Sequence, residues 1–410
     1  MAHFNLDKIR KNFPALNQKI NGQVPLFLDG PGGTQVPQSV SDAMADYLLH
    51  FNSNLLNSPF FAVQKTHEVL AAARQKSATF VNAPRPEDII FGASMSTTTA
   101  HLSRSIAREW KAGDEIIVSA LDHFSNVSFW QMAAEDKGVT CHVARVDTET
   151  CTLDIDHLES LLSDKTKLVA FTLASNVSGS RVDAPRIIKA AQAVGALTYV
   201  DSVHAAPHFL PDVQALDCDF LACSAYKFSG PHLGFIYGKQ SHFESLTPYK
   251  VEPAPTASPE CWETGTKNFE ALAGFSAIID YMASYHLDLP LRAALEGFYA
   301  DLAIHERTLS NAFLERASHI SGFKIYGITD PTKLDQRSST FAFTLEGHSP
   351  QTVSDHLAHA NISTGAGNFY AKGLVEALGL TDKGGITRAG FVHYNTMDEL
   401  NRFFEVLEEL

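Results

Sequence analysis

Asp201 closes the apolar run LTYVD, and Lys227 follows the apolar run DFLACSAY. Alone, each has an ordinary reading. An Asp at a strand end turns or caps the chain, and a Lys there is a solvated surface residue. Together, at the ends of two consecutive strands, they face one cleft and one kind of chemistry. A lysine amine forms a Schiff base with an aldehyde, and a carboxylate beside a pyridine nitrogen keeps that ring protonated, so that it accepts electrons. The pair points to pyridoxal 5′-phosphate (PLP) acting on a small amino acid.

Such a cofactor needs donors for its phosphate. GASMSTTTA (92–100) joins a strand to a helix through small and hydroxyl residues. The N–H groups of the helix start and the Ser96 hydroxyl suit a dianion, although the same residues also read as plain Ser/Thr capping. Ser224, three residues before Lys227, is a second donor. His123, in LDHFSN, offers a flat ring to stack on a flat cofactor. Arg388, in GGITRAGFVHYN, offers the fork that grips a carboxylate with two parallel hydrogen bonds.

These residues depend on elements that place them. Residues 1–20 read as a short amphipathic helix, and VPLFLDGPGG (24–33) as a strand ending in a Gly-rich turn. Residues 52–61 read as a loop and 63–83 as a helix. Strand and helix then alternate: strands at 88–93, EIIVSA, TCHVARVD, 167–175, 197–205 and 219–227, with helices at 96–113, NVSFWQMAAEDKG and PRIIKAAQAVGA. GFIYGK (234–239) follows 227 with no room for a helix, which predicts an antiparallel neighbour on an otherwise parallel sheet. Strands joined through helices imply right-handed crossovers and an α/β sandwich, with ligands at the carboxyl ends of the strands. The expected division is an N-terminal segment (1–20) packing with the small domain, a large cofactor-binding domain (21–270) and a smaller α+β domain (271–410).

Composition narrows the partners. The net charge of −14 argues against nucleic acid, whose phosphates call for Lys and Arg. The five cysteines are scattered without C-x-x-C spacing, so neither a disulfide framework nor a metal site is expected. No apolar run approaches the roughly 18 residues of a membrane span, and the charged MAHFNLDKIRKNF does not read as a signal peptide. A cytoplasmic protein is the expectation.

The same residues resemble the class V aminotransferases, and within them the cysteine desulfurase-like branch, from about residue 25 onwards. The resemblance implies the PLP-dependent transferase fold type I, a mostly parallel seven-stranded sheet between helices. It also implies roles. Met95 (through its backbone) and Ser96 would hold phosphate, and His123 would stack on the ring. Asn176, in ASNVSGS, would lie by the phenolic oxygen, as would His204, where many members carry Gln. Asp201 would meet the pyridine nitrogen. Ser224-Ala225-Tyr226-Lys227 matches S-x-H-K with Tyr for His. Gly265 and Thr266, in WETGTKN, would reach the phosphate of a neighbouring subunit, which implies a homodimer with shared sites. Arg388 would bind the substrate carboxylate.

One segment departs from the family. Desulfurases carry a loop cysteine that takes up sulfur as a persulfide. Here that loop reads ISTGAGNFYAKGL (362–374), with Asn368 near the cysteine's place as a substrate contact, and no cysteine follows Cys261. A persulfide route needs a thiolate. Removal of the Cα proton by Lys227, with Asp201 supporting the ring, remains available. The favoured outcome is β-elimination on cysteine or cystine, a C–S lyase. Desulfurase-type sulfur transfer at a remodelled site, epimerisation as in isopenicillin N epimerase-like relatives, transamination, and PLP binding without turnover are the alternatives. Epimerisation needs a second acid, for which His123, His204, Tyr226, Tyr370 and His393 are conceivable.

Overall fold

A computed structural model describes residues 5–410. Its centre is a seven-stranded sheet of β1 (Ile89–Gly92), β2 (Glu115–Ser119), β3 (Thr140–Ala144), β4 (Thr166–Thr172), β5 (Leu197–Asp201), β6 (Phe220–Ser224) and β7 (Gly234–Gly238). The spatial order is β1-β7-β6-β5-β4-β2-β3. All neighbours are parallel except β7, which runs antiparallel to both β6 and β1. The short link from Lys227 to Gly234 forces that reversal, as the sequence predicts.

Except at the edge strand β3, the strands are almost continuously apolar because both faces are covered. Ile90, Val118, Leu168 and Tyr199 pack on one side with Leu102 and Trp130 of the helices Met95–Ile106 and Ser128–Lys137. Phe91, Ile117, Val169 and Phe235 pack on the other with Phe80, Ile187 and Phe275 of the helices Phe61–Val81, Ala184–Ala193 and Phe269–Ala283. Each such buried side chain contributes about 1.5–3 kcal/mol. Apolar burial thus fixes the strand ends from which the site is built. The helix Phe269–Ala283 packs mainly on the helices Gln38–His50 and Phe61–Val81, and also on Leu291–Ala317.

A second sheet, antiparallel throughout, has β8 (Phe323–Tyr326), β9 (Thr340–Leu345), β10 (Gly365–Gly367) and β11 (Ile386–Gly390) in the order β8-β9-β11-β10. It packs on the helices Leu291–Ala317, Pro350–His359 and Met397–Leu407. Near the start of the chain, Leu26–Phe27 pairs in parallel with Ile362–Ser363, and Asp29 bridges to Gly390. No helix of the described residues is long and apolar enough to cross a membrane.

Several elements are shorter than their sequence suggests. The N-terminal helix covers only Leu6–Lys11, because Phe13 turns into the core and Pro14 starts a 3-10 turn. Residues 1–4 lie outside the described residues. The helix expected over 96–113 ends at Ile106, and a 3-10 turn then swings Trp110 into the core against Trp130. TCHVARVD splits after Ala144, and Val146–Asp147 forms a hairpin with Thr152–Leu153. The strand 219–227 stops at Ser224, so Lys227 sits on a 3-10 turn, Ala225–Phe228.

Candidate active site

One cavity opens at the carboxyl ends of β2, β4, β5 and β6, closed on one side by the start of the helix Met95–Ile106. Met95, Ser96, His123, Asn176, Asp201, His204, Ser224, Tyr226 and Lys227 all line it. Ser125, Thr172 and Val203 line it as well.

Asp201 is 3% exposed, and its Oδ1 accepts the Val203 N–H at 2.8 Å. Burial pushes its pKa up to about 6, while that N–H and the Lys227 charge pull the other way. Such a carboxylate waits for a cationic N–H partner. Across the cavity, Lys227 Nζ donates to the carbonyls of Pro31 and Gly32, the second at 3.2 Å. Burial first, then the nearby Arg388 charge, brings the amine down to about 7. It is therefore partly neutral, and able to act as nucleophile or base, at neutral pH.

His123 stands on the turn after β2. Its Nδ1 accepts the Ser125 N–H at 3.1 Å, which leaves the ring proton on Nε2. Burial, with Lys227 and Arg388 nearby, holds it down to about 4, so the ring is neutral and flat-faced. Tyr370 stacks on it at 5.2 Å between centroids. Behind it, the buried Asp122 accepts from Ser119 Oγ, from Asn126 Nδ2 at 2.7 Å and from the Thr172 N–H at 3.0 Å. Those bonds tie the His123 turn to β4.

The helix start is built to face the cavity. Ser94 caps it through the Thr97 N–H at 3.1 Å, leaving the N–H groups of Met95 and Ser96 at its open end. Among the described residues, two buried polar atoms on the cavity wall have no partner, Asn176 Oδ1 and His204 Nδ1. Unpartnered buried atoms are costly. Those two, with the helix start and Asp201, make a wall that matches a flat, polar, phosphate-bearing ring such as PLP.

The remaining predicted residues do not line the cavity, though Arg388 stands close enough for its charge to act on Lys227, His123 and His204. Arg388, in β11, is buried, and its Nη1 donates to Asn176 O at 2.7 Å. Asn368 is exposed and does not line the cavity; its Oδ1 accepts the Tyr370 N–H at 3.0 Å. Thr266 lines a different hollow, with Phe91 and Glu263, and the neighbouring Gly265 at φ +77° is also outside the Lys227 cavity. His393 is boxed by Phe13, Tyr281, Phe298 and Tyr394, so it is no acid for this cavity. The carbonyls of Pro31 and Gly32 were not anticipated. The GPGG run was the available signal, since glycine lets backbone approach closely.

Comparison with known proteins adds the family. The Aminotransferase class-V family matches residues 26–403. The chain is 30% identical to a probable cysteine desulfurase of Halalkalibacterium halodurans, over 99% of this chain and 98% of that protein. It is also 30% identical to a cysteine desulfurase of Synechococcus elongatus, over 97% of its own length but only 62% of that longer protein. A cysteine desulfurase from Escherichia coli, 27% identical, has a similar structure, with a TM-score of 0.85 over 99% of this chain and 98% of the other. An apo cysteine desulfurase from Thermococcus onnurineus shares the fold at a TM-score of 0.87 and 24% identity, over 98% and 97% of the two chains. With the match spanning nearly the whole chain, the protein belongs to the class V aminotransferase family of PLP-dependent enzymes, in its cysteine desulfurase-like part.

Proposed function

We propose that the protein is a C–S lyase, removing the Cα proton of cysteine or cystine and expelling the sulfur by β-elimination. The observation that carries this reading is a base without a partner thiol. Lys227 is lowered to about 7 beside Asp201, while none of the five cysteines lines the cavity. Bound PLP supplies the electron sink for charge left on Cα.

The chain's own residues do the rest. Asp201 would hold the pyridine nitrogen, the N–H groups of Met95 and Ser96 would hold phosphate, and His123 would cover the ring face. His204 would donate to the phenolic oxygen through Nδ1, with its Nε2 on Ser338 Oγ, and Asn176 would stand beside that oxygen. Arg388 takes the substrate carboxylate, and Lys227 Nζ accepts the Cα proton. The C–S bond then breaks with its electron pair on sulfur, which leaves as hydrosulfide, or as a persulfide from cystine. The unsaturated amine that remains hydrolyses to pyruvate and ammonia. Gly265 and Thr266, outside this cavity, serve the site of a second copy in a homodimer.

The names of the relatives favour a second reading, sulfur transfer as in cysteine desulfurases. The two predict different products. With L-cysteine or cystine and no added thiol acceptor, elimination yields pyruvate with sulfide or persulfide in equal amounts. Alanine accumulating in place of pyruvate would establish desulfuration. Exchange of Cα deuterium without either product would overturn both.

A further inference from the structure

Arg388 is 6% exposed, and among the described residues no carboxylate stands within ion-pair distance of it. Asp29 and Tyr226 act on it only through space, and burial brings it down to about 9. A lone guanidinium out of water needs its charge met by something. One N–H goes to Asn176 O. The face of the group lies on the ring of Phe369, with Cζ 3.9 Å from the centroid, a close cation–π contact.

The sheet prepares that contact. The pairing of β10 with β11 sets Gly365 opposite Arg388. A Cβ on Gly365 would fall 2.5 Å from the Phe369 ring. The ring therefore occupies the place of the missing side chain, and so reaches the guanidinium. To bring it there, Phe369 and Tyr370 both adopt left-handed backbone, at φ 51° and 58°. Side chains seldom accept that region, and two in succession persist only where the surroundings enforce them. Asn176 Nδ2 donates to Phe369 O at 2.9 Å, the Phe124 N–H donates to Tyr370 O at 2.7 Å, and the Tyr370 ring stacks on His123. The loop is tied to the same residues that line the cavity.

We propose that Phe369 is the positioning residue for Arg388. It fixes the plane of the guanidinium and leaves the remaining N–H groups to the carboxylate of an amino-acid substrate. This rests on the reading of Arg388 as the carboxylate-binding residue.

The test is a visible-band titration of the holoenzyme with L-cysteine and with cysteamine, which lacks the carboxylate. Phe369→Leu keeps the apolar bulk and removes the π face. It weakens L-cysteine roughly three- to thirtyfold, the range of one cation–π contact, and leaves cysteamine unchanged; Phe369→Tyr restores wild-type binding. Equal weakening of both ligands overturns the inference, because Phe369 would then be a structural residue only. So does L-cysteine binding that Phe369→Leu leaves intact while Arg388→Lys impairs it. L-cysteine binding that Arg388→Lys leaves intact overturns the carboxylate reading and this inference with it. Gly365→Ala, which pushes the ring off the guanidinium from the other side, gives the same selective loss and replaces Phe369→Leu should that variant not fold.

Discussion

At the scale of single residues, the site works through charges that share too little water. Lys227 is held down by burial and by Arg388, while Asp201 and Asp29 oppose the shift. In cofactor-free protein, acylation of Lys227 followed by mass spectrometry should therefore reach half its maximal rate near pH 7, against about 10.4 for an ordinary lysine. Arg388→Gln removes a positive neighbour, favours the ammonium form and moves the midpoint upward. A midpoint that Arg388→Gln leaves in place would contradict this account. Lys227 and Asp201 were legible in the sequence only as a pair, because they stand at the ends of two consecutive apolar runs. Ser125, Thr172 and Val203 were not, since small residues of these types occur throughout the chain. Pro31 and Gly32 contribute only backbone oxygens, for which the GPGG run was the one signal. Asn368, near the cysteine's place in the loop, accepts the Tyr370 N–H of the loop's own turn.

At the scale of elements, the contact between β7 and the helix Met95–Ile106 brings the helix start to the cavity. A Cβ on Gly234 would fall 2.3 Å from Met95 N and from the Ser94 carbonyl carbon. Gly234→Ala is expected to cost roughly 3 kcal/mol and to push the helix start off its seat. The measurements are the denaturant midpoint and the PLP retained after gel filtration, both of which should fall together. An Ala variant that keeps both would show that the helix can yield. The strands were legible because burial on both faces leaves continuous apolar runs, and the reversal of β7 followed from the length of one link. Element ends were less so. The helix after β1 stops early because Trp110 is drawn into the core, a tertiary demand that local propensity does not record. The left-handed pair Phe369–Tyr370 was invisible for a related reason: aromatic residues carry no signal for that backbone, and only their partners hold them in it.

At the scale of the whole molecule, the shared-site reading makes assembly a condition of function. Gly265 and Thr266 do not line the Lys227 cavity of their own chain. Light scattering should therefore give a particle of about twice 44.8 kDa, and Thr266→Val should weaken PLP retention although Lys227 and its cavity are untouched. A monomer that keeps its cofactor would refute the reading. Within one chain, closure has an order in time. The loop whose carbonyls hold Lys227 is made first, but Leu26–Phe27 pairs with Ile362–Ser363, and Asp29 with Gly390. During synthesis Thr34 finds Tyr226 and Ser229 early, but the strand pairing waits until residues 362–390 leave the ribosome. The strand pairing that seats the loop carrying the two acceptors of the reactive amine therefore forms only after the large sheet has been made, and a chain cut before residue 362 would carry that sheet with an unfinished pocket.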